Sequence, residues 1–523
     1  MNDYFKHKIK DIVIRIPGFS HIYQMKQDYR DLERRYKELS EPIAKQLAEL
    51  DLAEEKRRYF AIRKLADCFS EENEQLNQSA PYYQEALILK NCHKLVSIII
   101  LNKNGSEKLK VLMNSFHSKS FYSNFEIIFV DNASTDNSVT YMHEWENEFK
   151  ITIIQNNENM SFSAANNLGA RYAHGDYLLF LNNDTEVSDG WLDELIIAME
   201  QAKNPGAIGA KLLYPHIPEG TVNFGKSYRI QHAGIAFRPV IKGKSIFIEP
   251  YNMRNNTFDE LRNETLTERA AVTAAVLMMK RSVFEEIGGF DEEYFYGFED
   301  VDLGLRLIKA GYMNYYCPHC LVFHYEFGTQ QKDALQSIVR RNEHNTGVFS
   351  AKWQEKLRKR IFAEKLNNIH LHTESNYIIK VILPEHFSST TAEKNAYRFL
   401  KSIANTNYEI RIIHEKNELT LYDIGVDVDL LLVFCDRYNI KKITNYSPLL
   451  HKTAFIDQAA ENQCKSRKFD SYTSFITFSS NSKQINNKTD FNGSLLILPE
   501  ECESEHILKE FVSFMMRFYN FQT

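Results

Sequence analysis

From Leu95 to about Asn368 the chain alternates short apolar runs with amphipathic stretches. Val96–Leu101, Glu126–Val130, Ile151–Gln155, Tyr177–Leu181, Ala207–Leu213, Val272–Met279 and Tyr315–His324 have strand length and are rich in apolar residues. Ser163–Ala173 and Trp191–Lys203, which lie between strands, read as helices. Near-continuous apolar strands separated by helices predict an α/β fold, a mostly parallel sheet with helices on both faces. Ligands of such sheets bind outside the carboxyl ends of the strands.

The flanking regions follow other rules. Residues 1–94 read as helical, with no glycine after Gly18. Ile22, Met25, Tyr29, Leu32, Tyr36, Leu39 and Ile43 keep the three-and-four spacing of a heptad seam, with charged residues between them. Pro42, just after Ser40, suits the first turn of a fresh helix. The seam fits both a helical hairpin packed on the main domain and a dimerising coiled coil. Ahead of it, Phe5, Ile9, Ile12, Val13 and Ile16 share a face ringed by Lys6, Lys8, Lys10 and Arg15. That pattern suits peripheral contact with a membrane interface, or a docking helix.

Past a basic helix at Trp353–Leu366 and a polar junction, a second α/β pattern begins. Its strands are Tyr377–Leu383, Tyr408–His414, Leu430–Cys435, Ala454–Asp457, Phe475–Ser479 and Leu495–Leu498. Its helices are Ala392–Ile403, opened by a capping box of Thr390 and Glu393, and Glu505–Tyr519. The expected division is a helical region at 1–94, an α/β domain at 95–368, and a small Rossmann-like accessory domain at 369–523 with no recognisable active site.

Composition narrows the function classes. With 523 residues the chain has room for two or three domains. A net charge of −6 gives no electrostatic case for nucleic acid. The 28 Tyr and 35 Phe against 3 Trp favour a carbohydrate partner, because tyrosine offers a flat apolar face and a hydroxyl. No apolar run approaches the ~20 residues of a membrane span, and MNDYFKHKIKDIVIRIPGF does not read as a secretory signal. Seven scattered cysteines argue against a disulfide framework and for a reducing compartment, so a cytoplasmic location is expected. Cys317 and Cys320 form a CxxC without a second pair at zinc spacing and read as ordinary strand cysteines.

The candidate chemistry sits where strands end. Tyr177–Thr185, YLLFLNNDT, runs from apolar residues into two amides and a carboxylate, which brings Asp184 to the rim of the sheet. Downstream, YGFEDVD holds the pair Glu299 and Asp300, and His324 closes the apolar run LVFH. A single acid at a strand end is usually a solvated turn residue. In this order the three elements suit a divalent metal plus a general base, and they point to sugar transfer from a nucleotide-sugar.

Seven ordered motifs carry a family resemblance: VSIIILNKNG, IIFVDNASTDNS, NENMSFSAANNLGA, GDYLLFLNNDT, GAIGAKLLYP, QHAG and MKRSVFEEIGGFDEEYFYGFEDVDLGLRLIKAGY. Over about residues 95–350 the chain resembles glycosyltransferase family 2, especially its bacterial rhamnosyltransferase-like branch. The resemblance implies a GT-A fold, a nucleoside-diphosphate sugar donor (UDP- or dTDP-linked) held with Mn²⁺ or Mg²⁺, and transfer with inversion. Asp184 matches the last acid of the family's Asp-x-Asp motif and His324 its second metal ligand; Asn182 stands where the first Asp often does. Asp131 matches the position that binds the base or ribose, and Asn102, Asn104 and Asn183 are implied donor contacts. Asn167 matches the asparagine of an R-N-x-G pattern and is likewise implied as a donor-binding residue, with Asn166 replacing the arginine. Asp300 is implied as the base, with Glu299 orienting the acceptor.

The implied partners are the donor and a glycan, lipid-linked or protein-linked acceptor. Two other classes compete: a catalytically silent scaffold of a glycan-synthesis complex, and a nucleotidyltransferase. The second would want an Arg/Lys-containing glycine-rich loop after the first strand, and LNKNGSEK is a poor one.

Overall fold

A computed structural model of the chain describes residues 44–67, 80–116, 119, 121–218, 226–242, 245–253, 265–325, 335–366 and 371–372. Beyond these it describes 378–383, 390–404, 408–414, 430–434, 451–455, 473–479, 495–499 and parts of 506–513. The heptad seam from Ile22 to Ile43 and the basic amphipathic stretch before it lie outside the described residues. Two compact units emerge: residues up to Gly234 with Asn252–Asn342, and Ile235–Tyr251 with the chain from Glu343 onward.

The first unit is built on β1 (Val96–Asn102), β2 (Phe125–Asp131), β3 (Ile151–Gln155), β4 (Tyr177–Asn182), β5 (Thr185–Val187), β6 (Pro205–Leu213) and β7 (Ile230–His232). It adds β10 (Thr267–Arg269), β11 (Val276–Lys280) and β12 (Met313–His324). The strands form one sheet in the order β10-β12-β6-β11-β4-β1-β2-β3, with β5 on β12 and β7 on β6.

The expected α/β class is present, but parallel pairing is confined to β3-β2-β1-β4 and to β6-β12. β11 inserts antiparallel between β4 and β6. A strand buried on both faces reads as the same apolar run in either direction, so its pattern shows length but not polarity.

Side chains alternate between two cores along each strand. On β1, Val96, Ile98 and Ile100 enter one core while Ile99 enters the other. The first core is covered by α2 (Tyr83–Asn91), α3 (Ser106–Phe116), α4 (Ser138–His143) and α6 (Trp191–Gln201). α5 (Phe162–Tyr172), α7 (Arg281–Ile287) and α8 (Glu299–Lys309) cover the second. α5 lies so close to the sheet that a Cβ at Gly169 would press into Ile99 and Val130.

The helix at 44–67, α1, docks on this unit rather than standing apart. Arg58 grips Glu194 of α6 through Nε (2.8 Å) and Nη2 (3.2 Å), and Glu55 pairs with His319 of β12 at 3.0 Å. Tyr59 packs against Gly190, whose φ of +77° suits glycine. Among the described residues no helix is long and apolar enough to cross a membrane.

The second unit holds a hairpin of β8 (Ile235–Lys242) and β9 (Ser245–Asn252) that the sequence pattern had not suggested. It is followed by most of α9 (Leu335–Leu366). Gln354 of α9 ties to the backbone N–H and carbonyl of Ile248, each at 2.7 Å. Six strands then form a wholly parallel sheet: β13 (Ile378–Leu383), β14 (Glu409–His414), β15 (Leu430–Phe434), β16 (His451–Phe455), β17 (Thr473–Ser479) and β18 (Leu495–Pro499). Their order is β14-β13-β15-β16-β17-β18, with α10 (Thr390–Ala404) following β13.

Candidate active site

β1, β2, β4, β6 and β12 all run the same way, so their carboxyl ends share one edge of the sheet. That edge receives Asn102, Asp131, Asn182 and His324. The turn after β4 carries Asn183 and Asp184 and reverses into β5, which pairs with β12 so that Thr185 faces His324. Thr185 Oγ1 donates to the Asn182 carbonyl (2.8 Å), and the Tyr325 N–H donates to the Asp184 carbonyl (2.9 Å). This reversal sets Asp184 Oδ1 3.3 Å from His324 Nε2, while Lys108 Nζ lies 3.6 Å from Asp184 Oδ2. Burial opposes a charge on Asp184, but His324 and then Lys108 outweigh it and hold the carboxyl at about 2, so it is ionised at neutral pH.

Asn102 and Asn183 continue the polar edge. Asn183 Nδ2 donates to Asn102 Oδ1 at 2.6 Å, and Asn102 Nδ2 reaches Asp131 Oδ1 at 3.4 Å. Asp131 Oδ2 accepts the Ser134 N–H at 2.9 Å, and Asn104, at φ +48°, accepts the Thr135 N–H at 2.7 Å. A Cβ at Gly105 would collide with the bonded amide atoms of Asn102 and Asn183.

Glu299 and Asp300 open α8 behind a turn in which Gly297 (φ +93°) and Phe298 (φ +74°) both take left-handed backbone. A phenylalanine there is strained, a feature that clusters at functional sites. Asp300 Oδ2 accepts the Ala274 N–H (3.2 Å) and Oδ1 its neighbour Val301 N–H (2.8 Å). Glu299 is buried, and its Oε2 has no hydrogen-bond partner among the described residues. Burial first, and the Asp300 charge second, push Glu299 up to about 8; burial also raises Asp300, against the N–H groups that steady its charge. Asp302 instead pairs with Arg306 at 2.7 Å within the helix.

Asp184, His324, Glu299 and Asp300 meet in one cleft of about 270 Å³, lined also by Asn182, Gln231, Thr273 and Tyr296. Of the aromatic run before the acids, Tyr294 is in the core while Tyr296 lines the cleft and is 41% exposed. Asn102, Asn104, Asn183 and Asp131 lie outside that lining. Asn167 departs from its expected place: its amide donates to the Phe290 carbonyl and to Glu292 (2.9 Å each) and accepts the Phe290 N–H (2.9 Å). Both its amide hydrogens are committed to that turn, so the chain's own packing accounts for it.

Sequence reading had not singled out Gln231, His232, Lys108 or Thr273. QHAG was the available signal. There His232 Nε2 accepts the Thr273 N–H (3.2 Å), which steadies the strand entering β11, and Gln231 contacts His324.

Among the described residues no three His, Cys, Asp or Glu side chains gather as a ready cation cage. Asp184 and His324 nonetheless suit a hard divalent ion whose other ligands come from phosphate oxygens and water. Cys317 and Cys320 are free thiols buried in β12, where burial pushes Cys317 up to about 12.

Residues 97–288 match the family model "Glycosyl transferase family 2", and residues 265–327 match "N-terminal domain of galactosyltransferase". The chain carries a family 2 glycosyltransferase domain. Over 245 residues it is 34% identical to the O-antigen biosynthesis protein RfbC of Myxococcus xanthus, covering 46% of this chain and 18% of that protein. Over 180 residues it is 31% identical to an N-acetylglucosaminyl-diphospho-decaprenol L-rhamnosyltransferase of Mycobacterium tuberculosis, covering 34% of this chain and 55% of that one. The likeness is thus to the bacterial rhamnosyltransferase-like branch, though the chain spans well under two thirds of either relative. A solved structure of GalNAc-T7 with UDP, GalNAc and Mn²⁺ overlaps at a TM-score of 0.37 and 17% identity, covering 50% of this chain and 51% of that one.

Proposed function

We propose that the glycosyltransferase domain moves a sugar, with inversion, from a nucleoside-diphosphate sugar to a glycan or glycoconjugate acceptor in bacterial surface polysaccharide synthesis. The convergence of Asp184 and His324 with Glu299 and Asp300 in one cleft carries this reading. Asp131 and Asn102 bind the nucleoside, with UDP and dTDP the expected carriers. Asp184 and His324 hold a divalent cation, Mn²⁺ or Mg²⁺. When bound, that ion offsets the negative charge that develops on the departing diphosphate.

Asp300 takes the proton of the acceptor hydroxyl as its oxygen bonds to the anomeric carbon, opposite the breaking bond to the diphosphate. The Ala274 and Val301 N–H groups and the Thr273 hydroxyl steady the charged form of Asp300 against its burial, which suits it to take that proton. Glu299, protonated below about 8, donates its O–H to hold the acceptor. Tyr296 supplies an exposed ring beside the cleft for the acceptor sugar to stack on.

We place the protein on the cytoplasmic side, with the basic N-terminal stretch in peripheral contact with the membrane and the heptad seam serving docking or dimerisation. Transfer or hydrolysis across a panel of UDP-, dTDP- and GDP-sugars, with Mn²⁺ or Mg²⁺, tests the reading. Turnover of one donor supports it; absence of turnover and of nucleotide binding throughout would leave a scaffold.

A further inference from the structure

Gln231 is buried on β7 and touches His324 twice. Its Nε2 reaches the His324 carbonyl at 3.3 Å, and its Oε1 faces His324 Nδ1 at 2.8 Å. A carbonyl oxygen can only accept, so the amide nitrogen must be the atom turned toward it. That fixes the amide's orientation. Its oxygen, which also only accepts, then requires a hydrogen on Nδ1. In the neutral ring Nε2 keeps its lone pair, and it points at the Asn182 amide (3.3 Å) and at Asp184 Oδ1 (3.3 Å). Asn182 Nδ2 can donate to that lone pair. The carboxylate cannot: an imidazolium proton on Nε2 satisfies it in the metal-free protein, and in the neutral ring the two electron-rich atoms facing each other favour a divalent cation in that proton's place.

We propose that Gln231 is a positioning residue that locks His324 in the Nδ1–H tautomer and so presents Nε2, beside Asp184, to the divalent cation that travels with the donor. The role rests on the cation-dependent reading above, and it explains why a buried polar side chain is spent on both ends of one histidine. In the metal-free protein the Asn182 amide hydrogen can hold that single Nε2 lone pair, and the cation takes its place.

The test compares wild type with Gln231→Leu, which removes both contacts, and Gln231→Glu, which keeps an acceptor for Nδ1–H. Long-range ¹⁵N–¹H spectra of histidine-labelled protein, recorded at alkaline pH where imidazoles are neutral, report the tautomer. His324 is assigned by its loss in His324→Gln. Calorimetry with Mg²⁺ plus UDP or dTDP reports affinity.

Wild type and Gln231→Glu should show the Nδ1–H form, while Gln231→Leu shows mixed tautomers and binds the Mg²⁺–nucleotide pair about 10- to 100-fold more weakly. Gln231→Leu that keeps a pure Nδ1–H form, or the wild-type affinity, overturns the proposal. So does a Gln231→Glu variant as defective as Gln231→Leu, since that pattern marks a packing role. If wild type binds no Mg²⁺–nucleotide pair, the proposed function falls, while the tautomer comparison in metal-free protein still decides the role of Gln231.

Discussion

Asn183 donates to Asn102 over 2.6 Å, and this bond joins the strand that ends at Asn102 to the turn that carries Asp184. The arrangement depends on glycine at 105, where any Cβ would displace one amide or the other. Gly105→Ala should break the bond while leaving both cores intact. A neutral hydrogen bond is worth about 1 kcal/mol, so nucleotide affinity should fall roughly 5- to 10-fold with little change in melting temperature. Calorimetry with UDP and dTDP would check it; unaltered affinity would detach Asn102 and Asn183 from donor binding.

Asp184 places a carboxylate oxygen 3.3 Å from His324 Nε2. Asp184→Ala should therefore abolish the part of UDP or dTDP affinity that depends on Mn²⁺, leaving metal-independent binding. The comparison is calorimetry with and without Mn²⁺ on both proteins. Equal metal dependence in the two would remove Asp184 from the cation's coordination.

The acids of α8 are adjacent in sequence but unequal in surroundings. Asp300→Asn should retain donor binding and cut turnover by at least ~10²-fold, the usual scale for loss of a general base. Glu299→Gln keeps a donor for the acceptor hydroxyl and should act mainly on acceptor KM. Steady-state kinetics on the pair decides: a dead Glu299→Gln with an active Asp300→Asn reverses the roles.

Residues at strand ends were legible in the sequence because an apolar run that stops in Asn-Asn-Asp or in His announces its own rim. The same runs could not announce strand direction, since Val276–Lys280 buries Leu277 and Met279 in one core and Val276 and Met278 in the other. Gln231 and Arg58 were not legible for a different reason. Their partners lie 93 and 136 residues away, and neither breaks an apolar pattern that would single it out. Asn167 shows the converse: a motif position whose amide the fold uses to hold the turn at Phe290.

Arg58 shows how α1 is fastened. It meets Glu194 in a two-bond fork, and both side chains are largely buried, so removing the cation strands an anion in the interior. Burial already pushes Glu194 above the usual carboxylate range. Arg58→Ala should destabilise the chain by about 3–5 kcal/mol, whereas Arg58→Met with Glu194→Leu should recover most of that loss. Denaturant unfolding of the three proteins tests this; a loss below ~1 kcal/mol in Arg58→Ala would show that water reaches Glu194 and that the fork contributes little.

Glu299 makes a prediction about pH that does not require a substrate. Its folded value stands at about 8, above the ordinary glutamate value of about 4.3 that an unfolded chain would show. In the window between these values the folded protein holds a proton that the unfolded chain has released. Stability from this group is therefore full on the acid side of the window, falls as pH rises through it, and levels off above about 8. Glu299→Gln removes the proton exchange, so the difference in unfolding free energy between variant and wild type should shift in the variant's favour by a few kcal/mol from about pH 5 to about pH 9. Asp300→Asn should shrink the same slope, because it removes the charge that adds to burial in raising Glu299. Denaturant unfolding of the three proteins across that range measures both effects. Parallel pH profiles for wild type and Glu299→Gln would mean that Glu299 is ionised in the folded protein. It could not then donate to the acceptor, and the division of labour between the two acids would have to be redrawn.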